Sequence, residues 1–148
     1  MNYLKTFESF DMERFSFYKD EKKYEHPFNF KADVYYLTYD SKKVGNVDIS
    51  KDQNFLNYSL RSFKGEDGKD LNILLRDGEA FLVSISFIRE YRGNRVGLKL
   101  LKEIMQENNI RIFYLWGSSQ HKLWNKICEK IGQDDLGNYF YKLNIENI

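Results

Sequence analysis

Residues 81–101 read FLVSISFIREYRGNRVGLKLL, and this stretch decides how the rest of the chain is read. Its first eight residues are an apolar run rich in β-branched and aromatic side chains, with Ser84 and Ser86 sharing one face. That length and composition predict a largely buried strand. Beyond it the period changes. Gly97, Leu100, Leu101, Ile104 and Met105 fall at i, i+3, i+4, i+7 and i+8, while Lys99, Lys102, Glu103, Gln106 and Glu107 take the other face. This spacing predicts an amphipathic helix ending near Asn108 and Asn109. A strand therefore passes into a helix across a short junction rich in glycine and arginine.

Downstream, residues 110–116 (IRIFYLW) predict a strand closed by Gly117. Ser118 or Ser119 is placed to cap a second helix with the stripe Leu123, Trp124, Ile127, Cys128 and Ile131, ended by Gly132. Residues 134–137 form a turn, and 139–145 (YFYKLNI) a last strand. Upstream, residues 32–40 and 44–50 alternate as the arms of a hairpin turned at 41–43. Residues 55–63 also alternate in the manner of a strand, 65–69 form a polar loop, 71–75 are a short apolar run, and Asp77 and Gly78 mark a turn. Residues 1–24 fit either a helix face through Phe7, Phe10 and Phe15 or a strand through Phe15 and Phe17, and Pro27 ends whatever precedes it. The expected fold class is a mixed α/β (α+β) sheet, with antiparallel N-terminal strands followed by a strand–helix–strand–helix–strand unit.

The chain has 148 residues, the length of one domain that buries a core without staples. Cys128 is the only cysteine, which excludes an internal disulfide and any zinc site built on several thiolates; His26 and His121 are the only histidines. Basic and acidic residues number 23 and 22, so no global charge for nucleic acid is present. No apolar run approaches the ~20 residues of a membrane span, and residues 1–10 lack the apolar core of a signal peptide. A soluble, cytoplasmic protein is expected. Aromatics make up 17% of the chain and read mainly as core filling for a sheet.

Residues 89–102 carry five basic side chains (Arg89, Arg92, Arg95, Lys99 and Lys102) against Glu90 alone, a local net of +4 in a chain of +1. This charge gathers where a helix starts, and a helix start presents unpaired N–H groups and a partial positive charge. Gly93 and Gly97 would let a phosphate approach the backbone, and Asn94 could cap the helix. The junction reads either as a phosphate or pyrophosphate site or as a solvated basic helix start. It is not a Walker loop, since no Gly-Lys-Ser/Thr follows, and the glycine spacing does not fit a dinucleotide fingerprint.

The strand, junction and helix resemble the central motif of the GNAT superfamily of N-acetyltransferases, whose R/Q-x-x-G-x-G/A loop reads here as Arg92-Gly93-Asn94-Arg95-Val96-Gly97. Arg95 stands where the family usually has its first motif glycine. Residues 121–133 (HKLWNKICEKIGQ) are similar to the family's last helix, with Cys128 in the place of its tyrosine. The likeness spans about residues 81–145. The N-terminal half matches poorly, with no clear amphipathic helix pair before Ala32, and residues 3–10 are similar to the starts of some small phage-encoded proteins.

The resemblance implies acetyl-CoA as acyl donor and a small-molecule or peptide amine as acceptor, without membrane, in a monomer or homodimer. It implies a pyrophosphate held on Arg92, Gly93, Asn94, Arg95, Val96 and Gly97. It implies a pantetheine arm between strands 81–88 and 110–116, and a thioester carbonyl polarised by the N–H of Phe87 or Ile88. Cys128 is then either the acid for the leaving thiolate or a core residue. Glu90 and His121 are candidate bases, and Ser119 and His121 stand where they could touch the cofactor. A non-catalytic protein of the same fold and a nucleic-acid-binding module are the alternatives.

Overall fold

The computed structural model describes residues 11–24, 29–88 and 96–148. Seven strands form one sheet: β1 (Phe15–Tyr24), β2 (Phe30–Tyr39), β3 (Lys42–Ser50), β4 (Glu79–Phe87), β5 (Ile112–Ser118), β6 (Glu129–Gln133) and β7 (Asn138–Asn144), in the spatial order β1-β2-β3-β4-β5-β7-β6. Neighbours are antiparallel except β4 and β5, which run parallel. A parallel pair needs a crossover, and helix α2 (Val96–Glu107) provides it. The helix and strands that flank the Arg/Gly junction thus lie as the periodicity predicts, and the fold class is the expected mixed sheet.

Each face of the sheet buries its own cluster. On one face Leu100, Leu101, Ile104 and Met105 of α2 pack on Leu37, Val47, Leu82, Phe113 and Leu143. On the other, helix α1 (Gln53–Leu60) sets Phe55, Leu56 and Leu60 against Phe30, Phe81, Tyr114 and Phe140. The aromatic excess is largely accounted for here, through stacked and edge-on pairs such as Phe30–Phe55 and Phe63–Phe140.

Two segments differ from their sequence reading. Residues 55–63, expected as a strand, begin inside α1. Asp52 caps this helix by accepting from the Asn54 N–H at 3.0 Å. The buried positions 55, 56 and 60 follow helical spacing rather than alternation. The second predicted helix is also shorter. Helix α3 (Lys122–Ile127) is capped by His121 instead of a serine, and the backbone turns extended at Cys128 (φ −107°, ψ 155°). Residues 129–133 then pair with β7 as the edge strand β6.

Tertiary pairing decides that outcome. Lys64 and Gln133 exchange backbone hydrogen bonds of 2.8 and 2.9 Å, which ties β6 to the loop before β4. Gly132 packs so closely there that a Cβ would lie 2.7 Å from Leu71 Cδ2 and 3.0 Å from the Lys64 carbonyl oxygen. It serves this contact rather than a helix end. The apolar run 71–75 stays irregular and is held by Gln53, whose amide donates to the Ile73 carbonyl and accepts from the Leu75 N–H, both at 2.8 Å. At the N-terminal edge, β1 resolves the ambiguity of residues 15–24 as a strand, and only residues 25–29 separate it from β2.

Candidate active site

The parallel ladder between β4 and β5 is short. It pairs Glu79 with Ile112, Ala80 with Phe113 and Phe81 with Tyr114, and goes no further. Beyond this last pair β4 continues to Phe87 and β5 to Ser118. The two strands fork.

The cause lies in the β3–β4 ladder. Ile49 pairs with Leu82 but Asp48 pairs with Ser84, so Val83 is an extra residue in β4. This is a β-bulge, which bends its strand and raises the local twist. Its mark is visible in the packing: Leu82 and Ile85 both face the α2-side cluster, while Val83 faces the α1 side. The bulge follows directly on the last β4–β5 pair, and the strand bends away from β5 there.

At the far end of β4, the Ile88 N–H donates to the Val44 carbonyl at 2.9 Å, toward β3. Of the two amides expected to meet a thioester, this one is engaged in the sheet. Alternation along the ladder turns the Phe87 N–H the other way, toward β5. The Phe87 ring is buried, and two glycines flank it. A Cβ on Gly97, in the first turn of α2, would lie 2.9 Å from its Cε2, and one on Gly45 of β3 would lie 3.1 Å from its Cδ1. Val96, which starts α2, is itself fully buried. The strand end and the helix start are thereby clamped together. Arg92, Gly93, Asn94 and Arg95, with Glu90, lie outside the described residues.

Trp116, about half exposed, lies on β5 beyond the fork with its ring centroid 6.2 Å from that of Phe63. Past β5, His121 Nδ1 accepts the Trp124 N–H at 3.1 Å and its ring stacks on Trp124. An accepting Nδ1 leaves the ring proton on Nε2. Partial burial lowers the His121 pKa, which favours this neutral form. The Tyr141 hydroxyl donates to Asn125 Oδ1 at 2.7 Å, and Asn125 Nδ2 donates to the Ser119 carbonyl at 2.7 Å. Burial raises the Tyr141 pKa. These bonds tie the end of β5 to α3 and β7.

Cys128 is half-buried at the end of α3 and packs against the α2-side core. Burial pushes its thiol up to about 12. The structure thus joins Phe87, Ile88, Val96 and Gly97 at one corner and sets Cys128 beside Tyr141. The bulge at Val83 and the glycine at position 45 escaped sequence reading. The available signal was a glycine inside a strand, which often marks close backbone or side-chain approach.

No protein-family model matches the sequence, and no curated protein matches it. Solved structures do. A GNAT family acetyltransferase from Elizabethkingia anophelis, solved with acetyl-CoA bound, superposes with a TM-score of 0.52 at 7% identity, covering 89% of this chain and 99% of the other. An acetyltransferase from Thermus thermophilus gives a TM-score of 0.50 at 11% identity, covering 76% of this chain and 64% of its own length. The chain has the fold of the GNAT acetyltransferases.

Proposed function

We propose that the protein is an N-acetyltransferase that takes its acetyl group from acetyl-CoA and passes it to an amine by direct attack. The observation that carries this reading is the fork between β4 and β5 at the Val83 bulge. Two strands that part while still extended offer backbone N–H and C=O groups to an extended, amide-bearing arm, much as a sheet edge accepts a peptide. Pantetheine is such an arm. In this proposal it lies in the fork, and residues 92–97 hold the pyrophosphate by backbone amides and by the local basic charge. The likeness to a structure with acetyl-CoA bound supports the same donor.

The thioester is already reactive, so the chain's task is to align two substrates and polarise one carbonyl. The Phe87 N–H, turned toward β5, is the proposed donor to the carbonyl oxygen. The amine nitrogen forms a bond to the acetyl carbon, and the carbon–sulfur bond breaks. The amine loses one proton and the departing thiolate gains one. Cys128 stands where the resemblance puts the acid for that thiolate. A thiol near 12 gives up its proton less readily than an ordinary thiol of about 8.5, so donation from it runs uphill. We assign Cys128 to packing and the leaving-group proton to solvent.

Thermal unfolding with and without acetyl-CoA tests the reading, paired with an assay of thiol release over a panel of amines. A ligand selective for the folded state at a hundredfold excess over Kd raises Tm by roughly 5–10 °C in a chain of this length. A shift with thiol release supports the proposal. A shift without release from any amine makes the protein a binding member of the fold, and no shift at millimolar acetyl-CoA removes the reading.

A further inference from the structure

On the α1 side, the two arms of the fork carry neutral side chains. Ile85 and Phe87 face the α2-side core, so Ser84 and Ser86 alternate onto the α1 side, where Ser86 pairs with Asn46 and Ser84 with Asp48. On β5, Tyr114 closes the parallel ladder, and Trp116 is the next residue on its face, with its ring against the buried Phe63. Trp116 therefore borders one arm of the fork, and the two serines border the other. All three are exposed, Trp116 at 48%. Among the described residues, the Trp116 indole N–H and the Ser84 and Ser86 hydroxyls have no hydrogen-bond partner. Asn46 Nδ2 donates to Asp48 Oδ1 at 2.8 Å, which leaves Asn46 Oδ1 to accept. Segments 42–46, 84–87 and 115–118 contain no aspartate, glutamate or histidine, and Asp48 beneath them is only 2% exposed. A half-exposed indole facing unpaired neutral donors and acceptors suits a ligand with an apolar face and hydroxyl edges. A sugar ring is such a ligand: its C–H face is slightly positive, and the indole face is negative.

We propose that Trp116 is the acceptor platform and that the acceptor is an amino sugar. The proposal rests on the N-acetyltransferase reading and adds to it the substrate class of the same site. The sugar ring lies on the indole face. Its hydroxyls bond with Ser84 Oγ, Ser86 Oγ, Asn46 Oδ1 and the indole N–H. Ser86 directly precedes Phe87, whose N–H turns into the fork, so a ring held here carries its amine next to the thioester. Neighbouring hydroxyls withdraw electrons from such an amine and hold its pKa below the ~10.4 of a lysine ammonium. More of it is neutral near pH 7, which suits segments that bear no carboxylate or imidazole. The neutral nitrogen bonds to the acetyl carbon as the carbon–sulfur bond breaks. The nitrogen gives one proton to solvent and the thiolate takes one from it, leaving an amide and a free thiol.

Glucosamine is the test acceptor, compared with 1,4-diaminobutane and with a short peptide bearing a free α-amine. Thiol release from acetyl-CoA is expected with a kcat/KM at least tenfold higher for glucosamine than for either alternative. Tryptophan emission gives a second readout, because the chain's other tryptophan, Trp124, is buried. Glucosamine and glucose should both change the emission saturably, since the platform reads the ring, and the diamine should not. In Trp116→Leu the emission response is lost and KM for glucosamine rises about tenfold, with most of the loss in KM. Ser86→Ala, an exposed change that removes one neutral hydrogen bond, raises KM about fivefold and keeps the proposal testable if Trp116→Leu does not fold. A preference for the diamine or the peptide, or an unchanged KM in both variants, overturns the amino-sugar site while leaving acetyl transfer intact. Absence of any acetyl-CoA Tm shift in the parent overturns the underlying reading instead.

Discussion

Gly97 gives its missing side chain to Phe87. A Cβ at position 97 would stand 2.9 Å from Phe87 Cε2, closer than real Cβ contacts come. The last residue of β4 and the first turn of α2 are therefore in direct contact, on either side of the junction that carries the basic cluster. A glycine that reads in sequence as room for a phosphate is, in the folded chain, also room for a ring.

Gly97→Ala sets two effects against each other. Alanine is better than glycine inside a helix by about 1 kcal/mol, whereas forcing a methyl against a packed ring costs about 1–3 kcal/mol. Net destabilisation of about 1 kcal/mol is expected in denaturant unfolding. Phe87→Leu in the same chain should recover part of it, so a double-mutant cycle would show coupling between the two positions. Purely additive effects would mean that the ring does not press on position 97.

Gly132→Ala examines the edge strand. The new Cβ meets Leu71 Cδ2 and the Lys64 carbonyl oxygen. Overpacking of this kind costs about 1–3 kcal/mol. Because a backbone atom is one of the two obstacles, shortening Leu71 to alanine should relieve only part of the loss. A stabilised Gly132→Ala variant would instead favour a helix through residue 132.

His121 predicts a pH dependence with a definite sign. Its folded pKa is lowered, so the unfolded chain binds the proton more readily. Stability is then complete above the ordinary histidine value of 6.5 and is lost as pH falls from there toward the folded pKa. His121→Asn keeps a capping side chain and removes the titration. Its Tm should decline less than the parent's between pH 7 and pH 5 in scanning calorimetry. Parallel declines would show that the histidine is not responsible.

Cys128→Ala tests the assignment of this thiol to packing rather than to proton donation. As a packing residue it should cost about 1 kcal/mol of stability with turnover within a factor of about three. As the leaving-group acid, its removal should lower kcat by about a hundredfold with acetyl-CoA binding unchanged. Turnover and thermal unfolding measured on the same preparation decide between them.

The parts of the fold legible in the sequence are those set by local periodicity. Strand β4 declares itself by its apolar run, and α2 by five apolar residues on one stripe, because each element must bury one face and each repeats with its own period. The hairpin of β2 and β3 is legible for the same reason. Where the reading failed, local pattern competed with distant partners. The stripe through Ile127, Cys128 and Ile131 suits a helix, but the exchange of hydrogen bonds between Lys64 and Gln133 and the ladder with β7 draw residues 129–133 into the sheet. At residues 55–63 the capping Asp52 outweighed a superficial alternation.

The site divides along the same line. Sequence alone determined that a basic, glycine-bearing junction joins a buried strand to an amphipathic helix, since charge, glycine content and period are properties of the chain itself. Only the tertiary structure decided that β4 parts from β5. The fork arises from one extra residue, Val83, measured against the register of β3, and a register exists only once two strands are paired. The same holds for the polar face of Asn46, Asp48 and Ser86. Ser86 is far from Asn46 and Asp48 in sequence and becomes their neighbour because the β3–β4 ladder aligns them, with the bulge setting which face the serines take.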